Sequence, residues 1–356
     1  MSVILQDKLK EVIFLAHNFT FEHIQPESGF PSIGFGLEAV LQLASRSKKP
    51  GKPEIRITQN PGKVFSALLQ SDKSNSQRLL TFAAGTDRLY EALHGAAEKY
   101  SEPVIAAIDR LGRFEAKELK RFAETSAMVS IPIADPATGL ILPFVEIADM
   151  AASTSDAIIH LDATAAAANM ESLPDSILFD FITITIPPLK AGDVASDVVI
   201  LQKGSRVETA ILDVTEPAEY LLRQETSGQS VQLRNDLRRQ MRDFFELNLK
   251  QNAEGILILF SEARRLVNTS AISVSGVNGE SLAALLAERG VYAVPLSLCS
   301  RLPKPPLPIF AAAEIPFAAT IGAIHFSFGL DLLPESVETA ALIVAECIGH
   351  LRKTGV

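Results

Sequence analysis

Hydrophobic and polar residues follow two alternating patterns over the middle of the chain. Between residues 79 and 202, short runs rich in Val, Ile, Leu and Phe are separated by segments whose apolar residues recur every three to four positions. The runs are typical of buried strands and the segments of helices, so the alternation predicts a parallel sheet covered by helices. The predicted strands are Leu79–Phe82, Val104–Ile108, Met128–Ile133, Ala157–Leu161, Phe179–Thr185 and Asp197–Gln202, and the predicted helices are Asp87–Tyr100, Ala116–Glu124 and Val145–Ser153.

The last third of the chain begins with a long amphipathic pattern. Leu, Met and Phe recur every three to four residues among Arg, Asp and Glu, which predicts a helix at Gln232–Asn252. Beyond it, the pattern predicts strands at Ala271–Ser275 and Ala323–Phe328 and helices at Glu280–Arg289 and Glu335–Lys353. We therefore expect a large α/β domain at residues 20–235 and a smaller α+β domain at residues 236–356, with residues 1–19 packing on the smaller domain.

The bulk composition limits what the protein does. Its 356 residues carry a formal net charge of -9, and 47% of them are hydrophobic. Because phosphate binding needs clustered basic residues and the sequence has no dense Lys/Arg block, we expect no nucleic acid partner. No apolar run approaches the roughly 20 residues of a spanning helix, and no secretory pattern opens the chain, so we expect a cytoplasmic protein without a membrane partner. Two cysteines are too few for a disulfide framework, and no residue set has metal-ligand spacing.

Four segments in a fixed order carry a resemblance to one enzyme family. Leu80–Asp87 reads LTFAAGTD, His160–Ala163 reads HLDA, Phe179–Pro188 is an apolar strand that ends in two prolines, and Ala323–Gly329 reads AIHFSFG. In order and spacing they resemble cysteine desulfurases, the class V aminotransferase-like branch of the pyridoxal-phosphate (PLP) enzymes, over about residues 30 to 353. The resemblance implies the α/β PLP-dependent transferase type I fold, a large doubly wound, mainly parallel sheet domain plus a smaller α+β C-terminal domain. It also implies a dimer.

Three residues occupy positions that the family uses to hold PLP. By the resemblance, Gly85 and Thr86 form a turn that receives the phosphate, since a helix N-terminus favours an anion. Asp162 lies where a carboxylate faces the pyridinium nitrogen. Each position has a plain structural alternative, because Thr86 would serve as an N-cap and Asp162 would cap a turn at a strand end.

Four other positions depart from the family pattern. Pro188 stands where the family has the lysine whose amine forms the Schiff base with PLP, and proline has no such amine. Pro136 and Ala165 replace an asparagine and a glutamine that contact the PLP ring. His325 replaces the arginine that grips the substrate carboxylate as a charged fork. We therefore expect no cofactor, and PLP only if another residue takes over the anchor.

These departures predict a cysteine desulfurase-like protein that has lost PLP-dependent catalysis and acts as a dimerising partner in sulfur or iron–sulfur cluster metabolism. It would pair with itself or with a desulfurase homologue. Two alternatives stay open. In the first, Lys190 serves as a displaced anchor in an active desulfurase or aminotransferase, although it lies about 7 Å beyond the expected position. In the second, Cys299, in a Ser-Leu-Cys-Ser segment like the loop that holds the family's thiolate, relays a persulfide without PLP.

Overall fold

The computed structural model describes residues 40–51, 53–71, 78–97, 103–166, 169–170, 172–186, 196–202, 207, 216–217, 231–296, 307–329 and 332–355. The strands of this part of the chain form one sheet of eight strands and one of four. In chain order they are β1 Glu54–Thr58, β2 Arg78–Phe82, β3 Val104–Ala106, β4 Ser126–Pro132, β5 Ile158–Asp162, β6 Phe181–Ile186, β7 Ser196–Leu201, β8 Glu216–Pro217, β9 Ile256–Ile258, β10 Thr269–Val274, β11 Val294–Pro295 and β12 Ala323–Ser327.

The large sheet has the strand order β3-β2-β4-β5-β6-β7-β1-β8. From β3 to β6 all neighbouring strands are parallel, whereas β7 is antiparallel to both β6 and β1. Every residue of β4 is buried, as expected of a central parallel strand with both faces covered. Because parallel strands end at the same edge, the segments that follow β2, β4, β5 and β6 meet there, and this edge is where α/β sheets bind ligands.

Helices cover both faces of the large sheet. The helix pair α1 and α2 encloses a core that includes Val64, Phe65 and Leu93 on one face, and a larger core including Leu119 and Phe144 lies under α3 and α4 on the other. The helices, again in chain order, are α1 Pro61–Ser71, α2 Asp87–Ala97, α3 Ala116–Ala123, α4 Phe144–Thr154, α5 Val231–Asn252, α6 Gly279–Glu288, α7 Pro308–Ala312, α8 Phe317–Ile321 and α9 Pro334–Thr354.

The second sheet, β11-β12-β10-β9, is antiparallel throughout. It shares a hydrophobic core with α5, α6 and α9, in which Phe245 of α5 lies 4.8 Å, ring centre to ring centre, from Phe326 of β12. Helix α6 begins at Asn278, whose side chain accepts hydrogen bonds from the N–H groups of Glu280 and Ser281 at 2.9 and 3.1 Å. This sheet and its helices form the α+β unit that the sequence predicts after the large sheet.

The segment between β9 and β10 fastens the second sheet to the end of the large one. The N–H of Leu266 donates to the carbonyl of Gly139 at 2.7 Å, and that of Ile141 donates to the carbonyl of Arg264 at 2.8 Å. The side chain of Arg265 is ion-paired with Glu246 of α5. Backbone and side-chain bonds together therefore hold the two sheets in one arrangement.

The predicted strands and helices between residues 79 and 202, and those after residue 232, are confirmed in position. The structure adds β1, β8, β9, β11, α1, α7 and α8, which the pattern does not predict. The predicted boundary between residues 235 and 236 falls inside α5, and the division into domains stays a prediction. In the part of the chain that the structure describes, none of the helices has the length and apolar character needed to cross a membrane.

Candidate functional site

Asp162 ends β5 at the edge where the parallel strands finish, and it is 5% exposed. Its Oδ1 accepts hydrogen bonds from the N–H and the hydroxyl of Thr164, at 3.0 and 2.6 Å. Burial, with a smaller contribution from Asp197, raises the pKa of Asp162 to about 6, against the lowering effect of the bonds from Thr164 and Thr86. Asp162 thus caps the turn after its strand, as the structural alternative predicts, and it is a buried acid that titrates close to neutral pH.

Gly85 and Thr86 form the turn between β2 and α2. Gly85 has φ +120, and a Cβ there would lie 3.1 Å from Pro132, so only glycine fits without strain. The Thr86 hydroxyl accepts a hydrogen bond from the N–H of Leu89 at 3.1 Å, which makes Thr86 the N-cap of α2. Its side chain also bonds Asp162. The structure therefore brings Thr86 and Asp162 together, as the resemblance implies.

Arg88, in the first turn of α2, reaches across this edge to β7. Its Nε and Nη2 lie 3.0 and 2.5 Å from Oδ2 of Asp197, a carboxylate that is 2% exposed. Oδ1 of Asp197 also accepts a bond from the Thr185 hydroxyl at 2.7 Å, and Nη2 of Arg88 donates to the carbonyl of Gln59 at 3.3 Å. An ion pair between the half-buried Arg88 and the buried Asp197, fixed by these bonds, joins α2, β6, β7 and the turn before α1.

A small cavity, with room for about one water molecule, is lined by Asp162. Next to it, an open cleft separates α1 from α2, and the two spaces share Pro61, Arg88 and Ala92 as lining residues. The Arg88–Asp197 ion pair is thus part of the wall between the surface cleft and the cavity at Asp162. The other residues that line the cavity are Phe65, Thr86, Leu89, Thr183 and Thr185.

A second group of polar side chains, Ser130, His160 and Thr183, joins the neighbouring strands β4, β5 and β6 inside the sheet. His160, fully buried on β5, is joined through Nδ1 to the Ser130 hydroxyl and through Nε2 to the Thr183 hydroxyl, both at 2.8 Å. Its ring stacks on Phe181 with a centroid distance of 4.5 Å and lies 5.1 Å from that of Phe65. Burial lowers the pKa of His160 to about 3, so the imidazole is neutral at physiological pH.

The described positions that depart from the family pattern make structural contacts. Pro136 lies in a turn in which Asp135 accepts bonds from the N–H and hydroxyl of Thr138. Ala165 is half-buried and offers no polar side-chain atom. His325 is 1% exposed within β12, where its Nε2 lies 2.8 Å from the Ser327 hydroxyl. The family's arginine carries a permanent positive charge and reaches the substrate carboxylate. The imidazole of His325 has no permanent charge and is buried inside β12.

The remaining predicted site residues, Pro188, Lys190 and Cys299, lie outside the described residues. Their roles stay predictions. Within the described ranges, no group of three or more His, Cys, Asp or Glu side chains could hold a metal ion. Cys347 of α9 is buried in the hydrophobic core that α9 shares with the small sheet, consistent with packing rather than chemistry.

Sequence reasoning missed the residues that join Asp162 to its surroundings. Arg88 and Asp197 are 109 positions apart, and Asp197 opens an antiparallel strand rather than ending a parallel one. Thr164 and Thr185 belong to no motif. The only available signal was the charge of Arg88 within the first turn of a helix, where a basic residue is unfavourable unless it has a partner.

Solved structures with the same arrangement identify the class of fold. A NifS-like protein superposes with a TM-score of 0.67 at 15% identity, covering 98% of this chain and 96% of its own. The apo cysteine desulfurase of Thermococcus onnurineus superposes with a TM-score of 0.62 at 14% identity, covering 98% and 92%. The fold is therefore the type I fold of PLP-dependent transferases, as predicted.

Sequence relatives are found among cysteine desulfurases. The chain is 23% identical over 241 residues to a cysteine desulfurase of Sinorhizobium fredii, covering 64% of this chain and 62% of the relative. It is also 23% identical over 259 residues to one of Gluconacetobacter diazotrophicus, covering 69% and 64%. No protein-family model matches. The chain is thus similar in sequence to cysteine desulfurases and shares their fold, and it spans less than two thirds of the length of these two relatives.

The expectation that the protein takes no cofactor is wrong. It rested on the departures at Pro188, Pro136, Ala165 and His325, whereas the relatives are cysteine desulfurases, a PLP-dependent class, and nothing shows a PLP-free state. The described residues also fit the ring nitrogen of PLP. None of the groups found to shift the pKa of Asp162 is a cation, and a protonated ring nitrogen would supply the positive charge that a buried carboxylate needs.

Proposed function

We propose that this protein is a cysteine desulfurase-like protein that no longer releases sulfur by PLP-dependent turnover and acts as a partner protein in sulfur or iron–sulfur cluster metabolism. The observation that carries the proposal is the proline at position 188, where the family resemblance requires a lysine. Without a primary amine there, PLP has no covalent anchor at its usual place. A cofactor held only through hydrogen bonds and charge does not begin the family's reaction in the usual way.

The described geometry supports the same conclusion. The carboxylate of Asp197 and the guanidinium of Arg88 satisfy each other beside the cavity, and the Thr86 hydroxyl is used by Leu89 and Asp162. His325 lies inside a sheet, where it is not available to grip a substrate carboxylate. The polar side chains around Asp162 are therefore bonded to one another.

Asp162 is the residue that would hold the ring nitrogen of bound PLP, and the Gly85–Thr86 turn lies beside it. PLP, when bound, supplies an electron sink for carbanion chemistry. The part that this chain plays is to keep a buried carboxylate in place through Thr164 and Thr86. It would thereby stabilise the positive charge of the ring without donating a proton.

A sulfide assay tests the proposal. Purified protein with excess PLP and cysteine should release sulfide no faster than PLP and cysteine alone, because no lysine amine is in place. The double variant Pro187→His/Pro188→Lys, which restores the family's His-Lys pair, is the matched comparison.

Sulfide release by the unmodified protein that disappears in Lys190→Ala but persists in Lys203→Ala would contradict the loss of turnover. It would support the displaced lysine instead. The partner role is tested separately by adding the protein to an active desulfurase. A partner that works through binding should change the rate of that enzyme at a defined stoichiometry.

A further inference from the structure

Asp197 is a second buried carboxylate at the sheet edge where Asp162 lies. Strand β1 runs parallel to β6, because both pair antiparallel with β7, so the ends of β1, β5 and β6 lie at one edge. Asp197, near the start of β7, lies between the ends of β1 and β6, where it is paired with Thr58 and Thr185. A carboxylate therefore occupies the edge at which α/β sheets bind ligands.

The contacts of the Asp197 carboxylate are those of a bound oxyanion. Nε and Nη2 of Arg88 donate to its Oδ2 at 3.0 and 2.5 Å, and the Thr185 hydroxyl donates to its Oδ1 at 2.7 Å. A guanidinium that donates two hydrogen bonds recognises the carboxylate and phosphate groups of ligands. In this chain the acceptor is instead a side chain of the protein itself.

The guanidinium of Arg88 lies between two spaces. Arg88 lines both the small cavity at Asp162 and the open cleft between α1 and α2, and Asp197 is among the residues that line the cavity. Lys63 and Glu91 line the cleft as well, so their opposite charges balance each other there. Arg88 is therefore the group that would select an anion from the cleft.

We propose that Arg88 and Thr185 form an oxyanion-binding position that the protein fills with its own carboxylate, Asp197. Asp197 is thus a specificity-determining residue. The phosphate or carboxylate group of a ligand binds at this position only when the Asp197 side chain is displaced. A carboxylate attached to the same chain has a high effective concentration, so an anion in solution competes with it poorly. The inference concerns anion binding and does not depend on the proposed loss of turnover.

Removal of the carboxylate tests the proposal. Asp197→Ala keeps both donors and opens a space the size of a carboxylate, for which formate is the matching probe. The bond from Arg88 to the carbonyl of Gln59 would keep the guanidinium in place. Formate should raise the thermal unfolding midpoint of Asp197→Ala in a saturable manner and bind it about tenfold or more tightly than the unmodified protein. Chloride at the same ionic strength controls for general salt effects.

Three further variants separate the filling of this position from other effects of charge. Asp197→Asn removes the charge but keeps the space filled, so formate should bind it no better than the unmodified protein. Asp197→Ala/Arg88→Met should lose the formate response, because the guanidinium is gone. Asp149→Ala, which removes the acid of the exposed Lys48–Asp149 pair, is the matched control. It should respond to formate as it does to chloride.

Inorganic phosphate, titrated in the same way, distinguishes a position for tetrahedral anions from one for planar carboxylates, and binding of either supports the proposal. If Asp197→Ala is unfolded without added anions, one of the two probes should restore the folded protein and chloride should not. Responses of Asp197→Ala to both probes that equal its response to chloride, or that persist without Arg88, would overturn the proposal. Equally tight binding to the unmodified protein would also overturn it.

Discussion

Asp162 and His160 lie two residues apart on β5, both buried, and burial shifts their pKa values in opposite directions. The pKa of Asp162 is raised to about 6 and that of His160 is lowered to about 3. Both shifts favour the uncharged side chain, because a charge in this low-dielectric interior is poorly solvated. Their effects on stability therefore oppose each other as the solution is acidified.

For Asp162 we predict a gain of stability on mild acidification. Between pH 6 and about 4, the usual carboxyl range, the folded protein binds a proton that the unfolded chain does not, so the free energy of unfolding rises by about 1 kcal/mol per pH unit from this residue. Urea unfolding of the protein and of Asp162→Asn at pH 6.5, 5.5 and 4.5 measures the difference between the two. Parallel pH dependences would show that Asp162 is ionised throughout the range.

For His160 the sign is the reverse. Below about pH 6.5 the unfolded chain protonates this histidine, whereas the folded protein keeps it neutral down to about pH 3. This residue therefore costs stability at about 1 kcal/mol per pH unit over that window. His160→Gln should be less stable at pH 7, because bonds to Ser130 and Thr183 are disturbed, but should lose less on acidification. An equal loss in both proteins would mean that the imidazole is accessible to protons.

The sequence predicts some of these residues and not others. Asp162 could be found because the family resemblance covers its strand, and Thr86 because a Gly-Thr turn precedes a helical pattern. Arg88 and Asp197 could not be found, because their contact depends on how β7 packs beside β6. That pairing is long-range and antiparallel, and local patterns contain no information about it.

At the scale of the elements, β1 and α1 are cases in which the hydrophobic pattern does not predict the structure. Glu54–Thr58 alternates correctly, but it is short and follows a run of Lys, Pro and Gly that indicates a loop. Helix α1 begins with Pro61-Gly62, a pair that usually ends regular structure, although proline is well placed in a first turn. The strand becomes stable only because it pairs with β7 and β8 in the completed sheet.

The ion pair between Glu246 of α5 and Arg265 gives the sharpest test at this scale. The two side chains are 11% and 7% exposed, lie 2.7 Å apart, and Glu246 also accepts a bond from Ser270 at 2.8 Å. Glu246→Ala leaves a buried guanidinium without its partner and should lower the free energy of unfolding by about 3–5 kcal/mol.

The exposed pair Arg289–Glu346, at 45% and 65% exposure, serves as the control. Glu346→Ala should cost less than about 1 kcal/mol. Thermal or urea unfolding of the two alanine variants compares them directly. Equal small losses in both would show that water reaches Arg265 and that the pair does not join α5 to the segment before β10.

At the scale of the whole molecule, the comparisons show the class of fold. The strand order, the second antiparallel sheet and the two-sided helical cover match NifS-like proteins over nearly the whole chain. The class of fold could be predicted from the sequence, because it depends on strands and helices in order. The reaction that the site supports could not be predicted in the same way, because it depends on single residues such as Pro188 and His325.

The most direct test of the proposed loss of turnover is to reduce the protein with borohydride in the presence of PLP and to map lysine adducts by mass spectrometry. We predict no stoichiometric adduct at any lysine of the unmodified protein and a stoichiometric adduct at position 188 in Pro188→Lys. An adduct in this variant would show that the cleft binds PLP when a lysine amine is present at position 188. A stoichiometric adduct on Lys190, or on any other single lysine of the unmodified protein, would contradict the account.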